Sequence, residues 1–431
     1  MMKLFSLKEH NTTPAKEIAA GVTTFLTMAY ILMVNPGMLG VIGNGMTGPA
    51  VFTATAIASA IATLVMAFAA NLPIALAPGM GLNAIFTYQV VGQMGYSWQI
   101  ALTAVFLEGI LFVALSFFNV REAIVRAIPP NLKRAIAVGI GLFITLIGFS
   151  NAGVIVHGAT ILQLGDLVRP GPALLAVLGL VIMVILYVLK VPGAILIGIA
   201  AATLIGIPMG VTSVPDNFSP VSLPAAPLLF KFDFSQVWSL KFFTVFFTFL
   251  FIDIFDTVGT LVGVTTQAGL INKKGEIPRI KQALLADAAG TVAGAALGTS
   301  TVTSYVESAA GVAAGGRTGL TALTTAGLFL LALFFSPLFL LVPSAATAPA
   351  LIMVGFLMMQ AVTAIDFSDP TEGIPSFLAI AIMPFAYSVS EGIIWSVLAY
   401  VICKAVTGKF RDISVVTWVL FAIFLLRKIF A

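Results

Sequence analysis

The amino-acid sequence predicts an all-α polytopic membrane protein of fourteen transmembrane segments, arranged as seven plus seven inverted repeats. Three observations carry that expectation. The 431 residues are 60% hydrophobic and only 9% charged, with a mean hydropathy of +1.10, whereas soluble chains carry about 25% charged residues. Apolar runs long enough to cross a bilayer, about 20 residues each, follow one another along the chain. Two of the apolar segments are interrupted, and they fall at matching places in the two halves. This composition excludes a soluble enzyme, a disordered protein and a nucleic-acid binder. The 21 Lys and Arg against 17 Asp and Glu give +4, an excess confined to short loops. One cysteine, Cys403, excludes a disulfide framework, and two histidines, His10 and His157, supply no metal centre. No cofactor is expected.

Taken in order, the continuous spans are 17–35, 50–70, 99–118, 131–150, 171–190, 192–210, 240–264, 281–298, 318–342 and 348–365. Segments 72–91 and 299–316 are apolar but broken by Gly, Pro and small polar residues, and 374–404 splits at Ser388–Glu391 into two pieces. Basic residues orient the array by the positive-inside rule. Lys3, Lys8 and Lys16 place the N-terminus in the cytoplasm, and Arg121, Arg126, Lys133, Arg134, Lys190, Lys273, Lys274, Arg279 and Lys281 then fall on the same side. Lys404, Lys409 and Arg411 follow suit. A spanning 413–430 would put Arg427 and Lys428 outside, so that run is expected to lie in the membrane interface. The polar stretch Met1–Asn11 shows no cleavable signal peptide.

An odd number of segments per half inverts the second copy. Thr24-Phe25-Leu26 and Thr248-Phe249-Leu250 set a repeat offset that matches Asn83 in the first broken segment with Glu307 in the second. Interrupted segments at corresponding positions point to a midplane site in secondary transporters. Pro73, Pro78, Gly79 and Gly81 deny the first a continuous helix, and a half-helix is expected from near Gly81. The β-branched stretch Thr299–Val306 is expected to be extended, ahead of a half-helix at Glu307–Gly315. Asp253 and Asp256 share one helix face with Thr257 and Thr260. A carboxylate at mid-span costs at least about 2.5–3.5 kcal/mol, so such residues face an interior and serve transport. Two on one turn repel each other, so one of them is expected to hold a proton for part of a cycle.

Glu108 is expected to bond a neighbouring helix, Asp287 to pair near the basic loop, and Glu391 to sit at a helix N-terminus. Arg317 is expected at the inner surface and His157 in an outer loop. With carboxylates at Asp253, Asp256 and Glu307, the Asn83 amide, hydroxyls and the Tyr305 phenol, but no deep Lys or Arg, an anionic substrate is disfavoured. The array suits a neutral heterocycle with ring N–H and C=O groups, although a cation also fits the composition. An intramembrane aspartyl protease would need its aspartates on separate helices, one in a Gly-x-Gly-Asp segment that is missing here.

Asn35-Pro36 after Met28-Ala-Tyr-Ile-Leu, Ala77-Pro-Gly-Met-Gly-Leu-Asn-Ala, Asp253-Ile-Phe-Asp-Thr-Val-Gly-Thr, and Glu307-Ser-Ala-Ala-Gly-Val with Gly316-Arg-Thr-Gly together resemble the AzgA-like purine permeases. These belong to the nucleobase–ascorbate transporter superfamily, and the resemblance runs from about Ala15 to the C-terminus. It implies a core domain (17–118 and 240–342) and a gate domain (131–210 and 348–405), flanked by a cytoplasmic 1–16 and the helix at 413–430. It also implies proton-coupled import of adenine, guanine or hypoxanthine across the cell membrane, with a homodimer through the gate possible. By motif, Asn83, Asp253 and Glu307 would be substrate ligands, Asp256 the second transport aspartate, and Tyr305 an aromatic near the base. Thr257 stands where the uracil and xanthine branches carry a histidine, which favours the AzgA-like branch. A related carrier for xanthine or uracil is the alternative.

Overall fold

The computed structural model describes residues 5–117, 129–156, 158, 162–270 and 277–430. Lys3, Arg121, Arg126, His157, Lys273 and Lys274 lie outside the described residues. Helix α1 (Pro14–Met28) starts where the Thr13 hydroxyl accepts from the Lys16 N–H at 3.4 Å, with Pro14 at the first helical position. A break at Ala29–Tyr30 separates it from α2 (Ile31–Leu39), and α3 (Gly48–Val65) follows. The first interrupted segment then runs as strand β1 (Leu76–Pro78), helix α4 (Met80–Ala84) and a π-helical continuation over Ile85–Gln93. After α5 (Trp98–Phe117) come α6 (Pro130–Asn151), a small hairpin of β2 (Ile155–Val156) and β3 (Gln163–Leu164), α7 (Pro172–Val188) and α8 (Ala194–Gly206).

The second half opens with α9 (Leu240–Gln267), 28 residues long, and α10 (Ile280–Leu297). The second interrupted segment is strand β4 (Val302–Ser304) followed by α11 (Ser308–Ala313). Then come α12 (Gly319–Ala332), capped by Thr318, the short α13 (Ser336–Leu340) and α14 (Ser344–Met359). Asp369 caps α15 (Pro370–Phe385) and Ser388 caps α16 (Val389–Val406), so the break expected near Ser388 is a turn between two helices. Among the described residues, seven helices are long and apolar enough to cross a membrane, which makes this a mostly helical, multi-pass membrane protein.

Packing sorts the helices into two groups. One holds α1, α3, α5, α9, α10, α11 and α12; the other holds α6, α7, α8, α14, α15 and α16. Each group draws on both halves of the chain. The groups meet where α4 touches α6 and where the Gln89 amide spans to α16, donating to the Ser390 hydroxyl at 2.5 Å and accepting from the Val389 N–H at 3.1 Å.

The run expected to lie in the membrane interface forms helix α17 (Val415–Phe430). It runs antiparallel to α16 and is tied to it at both ends, through Lys404–Asp412 at one and Lys428–Glu391 at the other.

Small residues set the closest helix approaches, the usual device where lipid removes a hydrophobic drive between helices. A side chain at Gly290 of α10 would place its Cβ 2.5 Å from Ala62 Cβ of α3 and 2.9 Å from Val302 Cγ1 of β4. Gly327 of α12 has nothing within 4 Å of the same point. Gly290→Val should therefore cost about 1–3 kcal/mol by overpacking and lower the thermal midpoint of the detergent-solubilised protein, while Gly327→Ala leaves it unchanged. Equal midpoints for both variants would refute this packing.

Candidate substrate site at the paired breaks

Proline and glycine at 73, 78, 79 and 81 keep the first broken segment from closing into a helix, and a run of β-branched residues does the same for the second. Extended backbone inside a bilayer needs partners for every N–H and C=O. The two breaks satisfy one another: β1 and β4 pair antiparallel, Leu76 opposite Ser304, Ala77 opposite Thr303 and Pro78 opposite Val302. Gly79 N–H donates to the Thr301 carbonyl and Tyr305 N–H to the Ala75 carbonyl, both at 3.0 Å, which extends the pairing at each end.

The hydroxyls of the second break then reach outward, each to a different helix. Asn35 of α2 donates to Thr299 at 2.8 Å, Thr301 donates to Glu108 of α5 at 2.9 Å, and Ser300 donates to the Asn83 carbonyl oxygen. Thr291 of α10 donates to the Val302 carbonyl at 3.0 Å, and Thr303 shares a 2.7 Å bond with Thr257 of α9. Glu108 thus bonds the broken segment itself.

Two layers of polar groups result. The deeper one centres on Thr257, whose Oγ1 lies 2.5 Å from Asp287 Oδ1, 2.7 Å from Thr303 Oγ1 and 3.3 Å from Asp253 Oδ1. Asp253, Thr257, Asp287 and Asn83 are all fully buried. Asp287, expected to pair near the basic loop, meets Thr257 of α9. The outer layer holds Asp256 and Glu307, both half-buried, with Val306 beside Glu307 at 51% exposed. Asp256 feels the charges of both Asp287 and Glu307. Its Oδ2 stands 3.6 Å from where a Cβ on Gly79 would sit, and that Cβ would also meet Thr303 Cγ2 at 2.8 Å. A glycine is therefore required where the carboxylate approaches the start of α4. The first N–H groups of a helix lack intrahelical acceptors, so Met80, Gly81 and Leu82 bring donors to the same place.

Glu307 is held by Tyr30, whose hydroxyl donates to Oε1 at 2.5 Å. Tyr30 is buried at the break between α1 and α2 and was not singled out from sequence; a lone phenol within an apolar span, just before Asn35-Pro36, was the available signal. Tyr305, expected beside a substrate, donates to the Pro78 carbonyl at 2.6 Å and braces the turn into α4. Asp253 and Asp256 lie one turn apart in the continuous α9, the first fully buried and the second half-buried. Glu307 immediately precedes α11, the place that Gly79 holds before α4. Arg317 ties off the end of α11, with Nη1 donating to the Val312 and Gly316 carbonyls at 2.7 Å each. Its backbone N–H donates at 3.0 Å to the buried carboxylate of Glu17. Among the described residues no cluster of three or more His, Cys, Asp or Glu is arranged to hold a metal.

Residues 15–394 match the Permease family. The chain belongs to that family. It is a membrane transporter and not an enzyme. A putative permease of Methanocaldococcus jannaschii is 46% identical over 99% of this chain and 98% of its own length. The adenine permease AdeQ of Escherichia coli is 42% identical, covering 100% of this chain and 96% of its own. The guanine/hypoxanthine permease PbuG of Bacillus subtilis is 44% identical over 100% of both. Among solved structures, the transmembrane domain of the cyanobacterial bicarbonate transporter BicA superposes with a TM-score of 0.67 at 16% identity, over 89% of this permease and 97% of that chain. At that identity the likeness concerns the fold.

The permease's buried layer makes a specific prediction. Thr257→Val removes the hydroxyl that joins α9 to α10 and β4, at a cost of about 1–3 kcal/mol for the groups it serves. The thermal midpoint in detergent should fall and uptake should drop with it, while Thr257→Ser retains both. Wild-type behaviour of Thr257→Val in both measurements would show that the hydroxyl does not hold this layer.

Proposed function

We propose that this permease imports purine nucleobases together with protons. The observation that carries the reading is full-length identity of 42–46% to relatives that include adenine and guanine/hypoxanthine permeases. The site chemistry supports it. Carboxylate oxygens accept the ring N–H groups of a neutral base, and the N–H groups opening α4 donate to its carbonyl or bare ring nitrogens. Glu307 and Asp256 are proposed as the base-contacting acids, since they occupy the outer, half-buried layer. Asn83, Asp253 and Thr257 are assigned to positioning, because Ser300, Asp287 and Thr303 engage that buried layer from the other side. Tyr30 orients Glu307 and would compete with the base for the same carboxylate.

Proton coupling is proposed on the same acids. Two acids that feel one another are cheaper to occlude when one proton neutralises part of the charge. Base and proton entering together would satisfy that condition, and release of both to the far side would reset it. Movement would occur between the two helix groups, with the set containing α1, α3 and α9 as the core and the set containing α6, α14 and α16 as the gate. Fourteen of the segments would form two inverted sevens, with the N-terminus cytoplasmic in the cell membrane. A homodimer through the gate is part of the proposal.

Uptake of labelled hypoxanthine tests the reading, in a host lacking its own purine permeases, at two external pH values and with a protonophore. Adenine, guanine, xanthine and uracil serve as unlabelled competitors. Accumulation should collapse with the protonophore and be blocked by purines. Glu307→Gln and Asp256→Asn should each lower concentrative uptake at least about tenfold at normal membrane abundance, the loss expected for one charged hydrogen bond. Wild-type uptake by both would sink the site. Competition by uracil or xanthine alone would move the substrate to a different branch.

A further inference from the structure

The pins at the two ends of α17 carry an inference that is independent of what is transported. Glu391 stands in the first turn of α16 and Lys404 in its last. They are 13 residues apart in one helix, hence about 20 Å along its axis. Lys404 lies 3.7 Å from Asp412, just before α17 begins, and the Tyr400 hydroxyl donates to the Asp412 carbonyl at 3.3 Å. Lys428, in the last turn of α17, pairs with Glu391. A helix fastened in this way to both ends of a membrane-crossing helix cannot lie along the surface. We propose that α17 crosses the bilayer beside α16 as a further membrane-spanning helix, and that residues 411 and 429 therefore lie on opposite faces of the membrane.

The side chains of α17 agree. Thr417, Leu420 and Phe424, spaced as one helical face, are buried. The remainder is exposed and apolar: Val415 is 78% exposed, Val419 52%, Leu426 55% and Ile429 64%. A surface-lying helix needs a polar face for the headgroups and water. This one has apolar residues all round, the pattern of a helix with protein on one side and lipid on the other. Phe424 also reaches past α16 to the other helix group. With Phe247 and Phe251 of α9 and Ile393 of α16 it lines an apolar cavity of about 40 Å³. Leu420 and Phe424 also meet Leu132 and Ile136 of α6. The helix thus lies along the seam between the two groups, tied to the α16 side by ion pairs and meeting α9 across a mostly apolar cavity.

Such a crossing places Lys428 on the face opposite Lys404, Lys409 and Arg411, against the usual bias of basic residues. Glu391 offsets that by pairing with it. The pair also explains why a carboxylate occurs at this end of α16.

The test reads topology alone, so its failure and that of the transport reading are separate. In a Cys403→Ser background, which removes the single native thiol, Arg411→Cys and Ile429→Cys are each treated on intact cells with a membrane-impermeant maleimide, then again after permeabilisation. One position should react before permeabilisation and the other only after it. Reaction of both from the same side would overturn the proposal. Fusions at the C-terminus of the otherwise unaltered chain give a second reading that does not depend on those variants. Alkaline phosphatase fused after residue 431 should be active and green fluorescent protein dark, with the reverse for fusions ending at residue 411. Matching outcomes at 411 and 431 would refute the crossing.

Discussion

Extended backbone in the middle of a bilayer is the constraint on which the rest of this structure depends. Water is absent there, and an unsatisfied peptide group costs several kcal/mol. The chain meets the constraint by breaking twice and pairing the breaks, so that β1 and β4 exchange hydrogen bonds across the centre. Two strands of three residues are too short to be stable alone. The hydroxyls and carbonyls of 299–303 supply the difference by bonding α2, α4, α5, α9 and α10. The strand pair is therefore the hub through which one group of helices is registered.

That hub also divides the acids into layers. Asp253 and Asp287 converge on Thr257 behind β4, where every group is buried. Asp256, one turn further along α9, lies beside Gly79, where an added Cβ would crowd Thr303 Cγ2 at 2.8 Å, and near Glu307. The helix starting at Met80 directs its dipole and free N–H groups at the same point. A transport cycle built on this site would alter contacts across the seam from α4 and Gln89 to α6 and α16 while the strand pair stays intact. The Gln89 amide bonds the start of α16 through both its oxygen and its nitrogen, and the Asn151 amide of α6 donates to the Tyr88 hydroxyl at 2.6 Å across the same seam.

Much of this was legible in the sequence. Apolar runs marked the helices, and Pro73, Pro78, Gly79 and Gly81 marked a break whose helix starts at Met80, within a residue of the expected position. The Thr-rich run at 299–304 read as extended for the reason it is extended. Less legible was which polar group faces which. Asn83 lies within α4, whereas Glu307 immediately precedes α11. The Tyr305 hydroxyl bonds the Pro78 carbonyl, a partner that the spacing of the sequence does not show. The bond between Asp287 and Thr257 of α9 was hidden because 30 residues of chain separate them.

The sequence by itself determined that this is a many-spanning membrane protein with two interrupted segments and a set of buried acids. Apolar run length, proline and glycine position, and the cost of a charge in lipid are all local properties. Only the tertiary structure decided that the interruptions pair with each other, that Tyr30 holds Glu307, and that α17 is tied to both ends of α16. Each of those depends on residues far apart in sequence meeting in space: 277 residues separate Tyr30 from Glu307, and 37 separate Glu391 from Lys428. The physical reason is that a side chain's chemistry is local, whereas the partner that satisfies it is chosen by the packing of the whole bundle.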